Sequence, residues 1–296
     1  MGKATFIGFS AVAMWALLAL LTDASGGVPP FQLSAICFTI GTAVGLAARA
    51  AGLAPAPTEP VPPIVWLIGI AGLFGYHFFY FTALRAAPAV EASLIAYLWP
   101  LFIVLGSALM PGERLRWFHV AGALLGLAGT AMIVTRGGSL TFDPQYGFGY
   151  GMALVCAFTW AAYSLLSRRF PSVPTSVVTW FCAATAALSL VCHLALEKTV
   201  WPADGGQWLA VLGLGLMPVG AAFYAWDYGV KKGNIQALGA ASYAAPLLST
   251  LVMIAFGFAS AEPAILAACV LITAGAVLAS KNMLFGRTRP ARDQTP

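Results

Sequence analysis

Charged residues are scarce in this sequence. Asp, Glu, Lys and Arg make up 8% of the 296 residues, whereas about 25% is typical of a soluble domain. Hydrophobic residues make up 60%, which is more than a soluble fold can bury. The composition therefore predicts an integral membrane protein, and it leaves too little polar sequence for a soluble catalytic or regulatory domain.

Motifs for catalysis and metal binding are missing as well. No His-Glu-x-x-His or Gly-x-Ser-x-Gly motif occurs, which argues against an intramembrane enzyme. The cysteines lack metal-binding spacing, so we expect buried free thiols and no cofactor. The basic residues stand at the ends of apolar segments rather than in one patch, which argues against nucleic-acid binding. The five cysteines are Cys37, Cys156, Cys182, Cys192 and Cys269.

Ten uncharged windows of at least 18 residues divide the chain. A helix needs about 20 residues to cross the hydrocarbon core, and helices satisfy their own backbone groups in lipid. The residue alternation of a membrane barrel is absent. We therefore predict an all-α protein with ten transmembrane helices, in the windows 4–22, 24–48, 60–84, 92–112, 117–135, 144–167, 170–196, 205–226, 233–261 and 263–280.

The distribution of Lys and Arg predicts the orientation of these helices. If the N-terminus is cytoplasmic, the segments on that side contain 12 of these residues and the segments on the other side contain 3. Basic residues accumulate in cytoplasmic segments. We therefore expect both termini in the cytoplasm and a multi-pass protein of the inner or plasma membrane.

The sequence contains two similar halves. Ala96–Leu101 in the fourth window matches Ser242–Leu247 in the ninth, and Trp15 in the first window corresponds to Trp160 in the sixth. Because five is odd, the second half would enter the membrane from the opposite side, which gives two inverted five-helix repeats. The predicted boundaries are 1–142 for the first repeat, 143–281 for the second and 282–296 for a cytoplasmic tail.

Three segments of the first half resemble the EamA repeat of the drug/metabolite transporter superfamily: Ala83–Pro88, Gly112–Arg114 and Gly122–Gly129. The second copy departs from the pattern where Glu262 is followed by Pro263. The resemblance covers the whole chain as two copies and implies ten helices. The density of Trp and Tyr near mid-membrane is similar to that of aromatic amino acid exporters within this superfamily, which implies export of such substrates.

Many large aromatic residues fall well inside the windows. Membrane interfaces attract Trp and Tyr, which explains Trp66, Trp117, Trp201 and Trp208 at window ends but not the inner ones. Helical spacing places several inner ones on shared faces. We predict that the inner residues line a substrate cavity, with packing as the alternative: Trp15, Tyr76, His77, Tyr80, Tyr97, Trp99, Trp160, Tyr163, Tyr224, Trp226 and Tyr243.

Pro100 and Pro246 occupy matching places near the middle of the fourth and ninth windows. A membrane helix tolerates proline where neighbours satisfy the freed carbonyl group. The pair therefore predicts two symmetry-related kinks that line the cavity. We interpret them as hinges that bend during transport; static kinks that only aid packing are the alternative.

Ionisable residues inside the windows are few. Glu91, Glu113 and Glu262 stand at window ends. Asp227 is expected to pair with Lys231 one helical turn later. Because no acidic residue is expected deep in the membrane, no built-in proton or sodium coupling is predicted, and His77 is the first candidate if coupling exists.

Three Gly-xxx-Gly pairs predict close helix packing: Gly41/Gly45, Gly122/Gly126 and Gly147/Gly151. A homodimer through one of them is left open.

The combined interpretation is a secondary transporter that exports small metabolites, with aromatic amino acids as the expected substrates and the bilayer as its surroundings. A multidrug or other metabolite exporter of the same fold is the alternative. The absence of a deep carboxylate favours neutral or zwitterionic substrates over cations. A channel is disfavoured because no charged ring or polar-lined pore is evident.

Overall fold

The computed structural model describes residues 2–138, 142–257 and 263–281. Within these residues, nine helices are long and apolar enough to cross a membrane, and a shorter apolar helix follows them. The nine are α1 (Lys3–Ala24), α2 (Pro30–Ala50), α3 (Pro63–Ala86), α4 (Ala89–Leu109), α5 (Trp117–Val134), α6 (Pro144–Ser167), α7 (Thr175–Leu196), α8 (Gly205–Lys232) and α9 (Ile235–Ala255), and the shorter one is α10 (Pro263–Ala279). The described chain is therefore an all-helical membrane protein.

The helices follow the predicted windows but differ from them at several ends. α7 begins at Thr175 rather than at residue 170, because Pro171 and Pro174 disfavour helical geometry in the residues before them. α4 begins at Ala89, since Glu91 is favourable in a first helical turn. Residues 258–261 of the ninth window and the predicted tail lie outside the described residues.

α4 and α9 are both interrupted near the middle. α4 consists of Ala89–Ala96 and Trp99–Gly106, and α9 consists of Ile235–Ala241 and Ala244–Ala255. Pro100 and Pro246 lie in the first turn of the second segment, where a missing N–H leaves no intrahelical bond unmade. The two matching kinks are confirmed.

Of the other irregular helices, one equivalent pair has the same irregularity in both halves and one pair does not. α3 and α8 each contain a π-helical turn, Ala71–Gly75 and Met217–Ala221. Such turns are frequent at functional sites. α1 is interrupted between Trp15 and Leu18, whereas the equivalent α6 continues from Gly147 to Ser167. The halves therefore share the irregularities of their third and fourth helices and differ in their first.

The packing of the helices is unchanged when the two halves are exchanged. α2 packs against α7 and α5 packs against α10, so equivalent helices pair with each other. α1 packs against α8 just as α6 packs against α3, and α9 contacts α1 just as α4 contacts α6. This pattern is expected of a duplicated bundle with an approximate two-fold axis.

Glycine permits the closest of these approaches. A Cβ atom at Gly122 of α5 would lie 2.5 Å from the carbonyl oxygen of Gly275 in α10, so the predicted close packing at Gly122 is confirmed. The prediction was wrong for Gly147 and Gly151, where an added Cβ atom would meet none of the described residues within 4 Å. The face of α6 that approaches α3 carries Gly149 instead.

The cysteines and the tryptophans at the window ends follow the sequence-based expectations in part. All five cysteines are free, but Cys192 and Cys269 are only partly buried. Trp117, Trp201 and Trp208 are exposed, as expected of side chains at a membrane interface.

Candidate substrate site

Four tryptophans from four helices meet inside the bundle. They are Trp15 of α1, Trp99 of α4, Trp160 of α6 and Trp226 of α8, and they are called the tryptophan cluster below. Every pair of these rings is in contact, with centroids 5.2–6.3 Å apart. Most pairs are edge-to-face or tilted, which aromatic quadrupoles favour. The cluster thus joins both halves of the chain.

A row of aromatic residues on α3 extends this surface. The Tyr76 ring lies 5.4 Å from the Trp160 ring and stacks on Tyr80 at 6.0 Å. These tyrosines are four residues apart, so they share a helix face. The Tyr80 hydroxyl lies 3.1 Å from Ser93 Oγ of α4. Tyr76 and Tyr80, called the α3 row below, therefore lead from the tryptophan cluster toward the C-terminal end of α3.

His77 lies on the same helix, with its ring 6.1 Å from Phe223 and 5.0 Å from Phe38. Its Nδ1 lies 2.7 Å from the Leu73 carbonyl oxygen. Because a carbonyl oxygen only accepts hydrogen bonds, this contact assigns the proton to Nδ1. In the neutral ring Nε2 is then an acceptor among aromatic side chains.

A cavity of about 360 Å³, called the vestibule here, lies between α3, α4, α5 and α9. Tyr97 and Pro246 mark where it meets the interruptions of α4 and α9. None of its described lining residues is charged, and hydroxyl groups are spread among apolar side chains. The lining residues are Tyr80, Ala89, Val90, Ser93, Tyr97, Ile133, Val134, Pro246, Ser249 and Thr250.

One end of the bundle, called the Arg85 end, is held by a buried carboxylate. Glu197 accepts hydrogen bonds from the backbone N–H groups of Phe31 and Gln32, both at 3.1 Å. It also pairs with Arg85 at 2.6 Å and with His193 at 3.0 Å. These contacts tie α7 to the start of α2 and the end of α3. Ala89 and Val90 place the vestibule at this end.

The opposite end of α7 marks the Arg168 end, about 30 Å away for a helix of this length. Arg168 follows α6 and forms an ion pair with Glu113, which follows α4. The same guanidinium donates to the carbonyl oxygens of Val230 and Gly233, both at 2.8 Å. One arginine thus links the ends of α4, α6 and α8.

Asp227 and Lys231 form a second ion pair at the Arg168 end, 2.9 Å apart, which confirms the predicted pairing. Thr175 Oγ1 donates to the Asp227 carboxylate at 2.7 Å, and Lys231 Nζ donates to the Val173 carbonyl oxygen at 3.2 Å. The side chain of Asp227 is only 1% exposed and that of Lys231 only 4%, because the start of α7 covers them. The pair is therefore a buried one rather than a pair on a solvated helix face.

Two of the predicted site residues lie away from both the cluster and the vestibule. Tyr224 donates to the Gly41 carbonyl oxygen at 3.0 Å and to Thr179 Oγ1 at 3.2 Å. It faces α2 and α7 because adjacent helical residues point in different directions, and its neighbour Phe223 faces the cluster. Tyr243 is fully buried against Gly126 of α5. Both positions favour packing roles.

Tyr163 is intermediate between these groups. Its ring lies 5.2 Å from the Trp160 ring, but the residue is only 1% exposed and packs against Gly72. Its hydroxyl lies beside the Asp227 carboxylate, toward the Arg168 end. Tyr163 therefore connects the tryptophan cluster to the buried ion pair and does not face the vestibule.

Several residues of the site could not be predicted from the spacing of side chains in the sequence. Ile133 and Val134 line the vestibule, but only the packing of α5 against α9 brings them there. Pro218 lies in the π turn of α8, and its carbonyl oxygen accepts a hydrogen bond from Trp15 Nε1 at 3.1 Å. A proline inside the eighth window was the available sign of that irregularity.

The fold and the site together define a multi-pass, all-helical membrane protein built from two similar halves around an aromatic centre. The chain belongs to the EamA-like transporter family, whose model matches residues 2–135 and 147–281. It is therefore a transporter rather than an enzyme.

Relatives with recorded functions include amino acid exporters. The aromatic amino acid exporter YddG of Ancylobacter novellus is 56% identical over 286 residues, which cover 94% of this chain and 97% of that protein. The protein of the same name in Escherichia coli K12 is 26% identical over 168 residues, covering 55% of this chain and 57% of that protein. A solved crystal structure with 55% identity superposes with a TM-score of 0.89 and covers 94% of this chain and 98% of the other.

Proposed function

We propose that this protein exports aromatic amino acids by alternating access. The observation that carries the proposal is the tryptophan cluster, which faces the α3 row beside an uncharged vestibule. The 56% identity to an aromatic amino acid exporter supports the same substrate class. All of the residues involved come from one chain, so the proposal requires only a monomer.

The site offers separate partners for the two parts of such a substrate. The aromatic side chain would pack edge-to-face against Trp15, Trp99 or Trp160. The ammonium and carboxylate groups would use polar atoms at the vestibule side, including Ser93, Ser249 and the hydroxyls of Tyr80 and Tyr97. His77 Nε2 would accept a hydrogen bond from the ammonium group or from an indole N–H.

The alternative is an exporter of hydrophobic drugs or other metabolites. A cationic drug would be favoured by a carboxylate in the cavity, yet the vestibule lining contains none. Asp227 is already neutralised by Lys231 at the Arg168 end. These observations favour a zwitterionic or neutral substrate.

The proposed topology has ten transmembrane helices in two inverted repeats, residues 1–142 and 143–281, with residues 282–296 in the cytoplasm. The excess of Lys and Arg then places the Arg168 end at the cytoplasmic face. The vestibule opens away from the cytoplasm in this conformation. The Arg168–Glu113 and Asp227–Lys231 pairs hold the cytoplasmic end closed.

Alternating access requires that the vestibule closes while the Arg168 end opens. The interruptions of α4 and α9 lie beside the vestibule and near the tryptophan cluster, so bending there would couple the two movements. Pro100 and Pro246 would serve as the paired hinges. No charged group lines the vestibule, so we expect no built-in ion coupling, and net flux would follow the substrate gradient.

Counterflow in proteoliposomes tests the proposal. Labelled tryptophan and phenylalanine should equilibrate faster than alanine, and an imposed membrane potential or pH gradient should leave the final level unchanged. A coupled charge would instead produce accumulation of roughly fifty-fold per 100 mV, since that potential is worth about 2.3 kcal/mol. Equal rates for the three amino acids, or transport of none of them, would refute the substrate assignment.

A further inference from the structure

A second cavity, of about 520 Å³, lies at the Arg168 end between α2, α7 and α8, and it is called the lateral groove here. Most of its wall consists of apolar side chains, including those of Val44, Ala48 and Leu53. Ser176 Oγ donates to the Pro55 carbonyl oxygen at 2.6 Å, which joins the first turn of α7 to the segment after α2 at the edge of the groove. The groove is thus a formed feature with an apolar wall.

The lateral groove is separated from the substrate site. A Cβ atom at Gly41 would lie 3.2 Å from Gly220 Cα, so α2 and α8 are in direct backbone contact between the groove and the tryptophan cluster. Tyr224 closes the same boundary through its bonds to Gly41 and Thr179. An occupant of this groove would therefore not be a substrate on the transport path.

One edge of the groove carries a positive charge that forms no ion pair with the described residues. Lys231 is paired with Asp227. Lys232 is exposed, and among the described residues its one hydrogen bond goes to the Pro171 carbonyl oxygen, at 2.8 Å. An ammonium group has three donors, so Lys232 can also bind an anion. No acidic residue lines the groove.

We propose that the lateral groove binds one anionic phospholipid, with its phosphate at Lys232 and an acyl chain against Val44, Ala48 and Leu53. Basic pockets between membrane helices suit anionic headgroups, and the apolar wall would be left unused by a small soluble anion. Residues 282–296 carry Arg287, Arg289 and Arg292 against one acidic residue. That segment therefore has the wrong charge to occupy a basic groove.

Native mass spectrometry of the purified full-length protein tests the proposal with phosphatidylglycerol and phosphatidylcholine of identical acyl chains. The unaltered protein should retain phosphatidylglycerol preferentially. Lys232→Gln should lower that retention about five-fold, the effect of one basic contact to an anionic lipid, and should leave phosphatidylcholine unchanged. Lys198→Gln, an exposed lysine near the Arg85 end, is the matched control and should change neither. Equal retention of the two lipids, or equal losses in both variants, would overturn the proposal.

Photo-crosslinking identifies the occupant directly. A benzoylphenylalanine placed at Leu53, which is 80% exposed at the groove, should form adducts with phosphatidylglycerol in vesicles that contain both lipids. Lys232→Gln should reduce that adduct. Adducts with a peptide from residues 282–296, or lipid adducts indifferent to Lys232, would contradict the assignment. Unchanged thermal unfolding and counterflow of each variant would show that folding is not the cause.

Discussion

α3 and α8 are equivalent helices of the two halves, yet their C-terminal turns carry different chemistry. Asp227 and Lys231 of α8 form a buried ion pair, whereas the positions 146 residues earlier are Phe81 and Arg85. Phe81 packs against Phe31, and Arg85 lies 5.4 Å above the same ring. Both arrangements fasten the helix to the start of its neighbour, α2 or α7. The joint of α8 is an ion pair within the helix, whereas Arg85 of α3 lies over the Phe31 ring and pairs with Glu197.

In the proposed inverted repeat, a difference between the halves becomes a difference between the two ends of the molecule. The Arg168 end has the ion pairs Arg168–Glu113 and Asp227–Lys231, and the Arg85 end has the pair Arg85–Glu197. The position equivalent to Arg168 in the first half is the exposed Asp23. The parts that the halves share, such as the interruptions of α4 and α9, lie around the cavity. We propose that the elements found in both halves bend during transport. The contacts found in only one half would then determine which end is closed in the resting conformation.

The largest expected effect is on the free energy of unfolding, and it should differ between the C-terminal turns of α8 and α3 because one is buried and the other is partly exposed. Asp227→Asn should lower the free energy of unfolding by about 3–5 kcal/mol, because Lys231 is left charged in a buried place. Arg85→Gln should cost about 1 kcal/mol or less, since Arg85 is 45% exposed and Glu197 keeps its other hydrogen bonds. Unfolding in mixed micelles measures both. Equal losses would show that the two joints are energetically equivalent.

The tryptophan cluster should be sensitive where the interfacial tryptophans are not. Trp160→Leu should lower the counterflow rate for phenylalanine by about ten-fold, since it removes several aromatic contacts worth about 0.5–1.5 kcal/mol each. Trp201→Leu is the matched control, because Trp201 is exposed and stacks only on Trp208. A similar loss in the two variants would argue against a binding role for the cluster.

The paired prolines test the elements that the halves share. Pro100→Ala and Pro246→Ala should each slow counterflow about three-fold and together about ten-fold, if the hinges act independently. Pro144→Ala, in the first turn of α6, should have no such effect. Normal flux in a folded double variant would leave the two kinks as static packing features.

The smallest expected effect concerns the first helix, in which the halves differ. Trp15→Phe removes the hydrogen bond to the Pro218 carbonyl oxygen, worth about 1 kcal/mol, and should slow transport a few-fold beyond Trp160→Phe. Trp160 Nε1 makes no hydrogen bond with the described residues, so its loss should matter less. Equal rates for the two phenylalanine variants would mean that the hydrogen bond from Trp15 to Pro218 does not contribute to transport.

Much of the fold could be predicted from the sequence because lipid imposes simple rules. Charge-free windows identify the helices, and matching motifs around Pro100 and Pro246 identify both kinks. The position of Trp15, Trp99 and Trp160 well inside their windows, and helical spacing for Trp226, also selected the four members of the tryptophan cluster. The sequence could not show which face of α8 is central, so the predicted cavity residues include Tyr224, although Tyr224 faces α2 and α7 and its neighbour Phe223 faces the cluster. Contacts between distant helices, such as Arg168 with Glu113, depend on packing that no local pattern encodes.

The central claim is that the two ends open alternately around the tryptophan cluster. The most direct test is labelling of Ser249→Cys in the vestibule by a membrane-impermeant maleimide, with and without Glu113→Gln, in a background where Cys192 and Cys269 are replaced by serine. Lys198→Cys, outside the vestibule, is the reference site. Removing the partner of Arg168 should favour opening of the Arg168 end and closing of the vestibule.

We predict that labelling at position 249 falls about ten-fold in the Glu113→Gln background, while labelling at position 198 is unchanged. Starting from about ten to one in favour of the open vestibule, this fall requires a shift of about 2.7 kcal/mol between the two states. Unchanged or faster labelling at position 249, in a protein whose ion pair is broken and whose fold is intact, would contradict alternating access between these two ends.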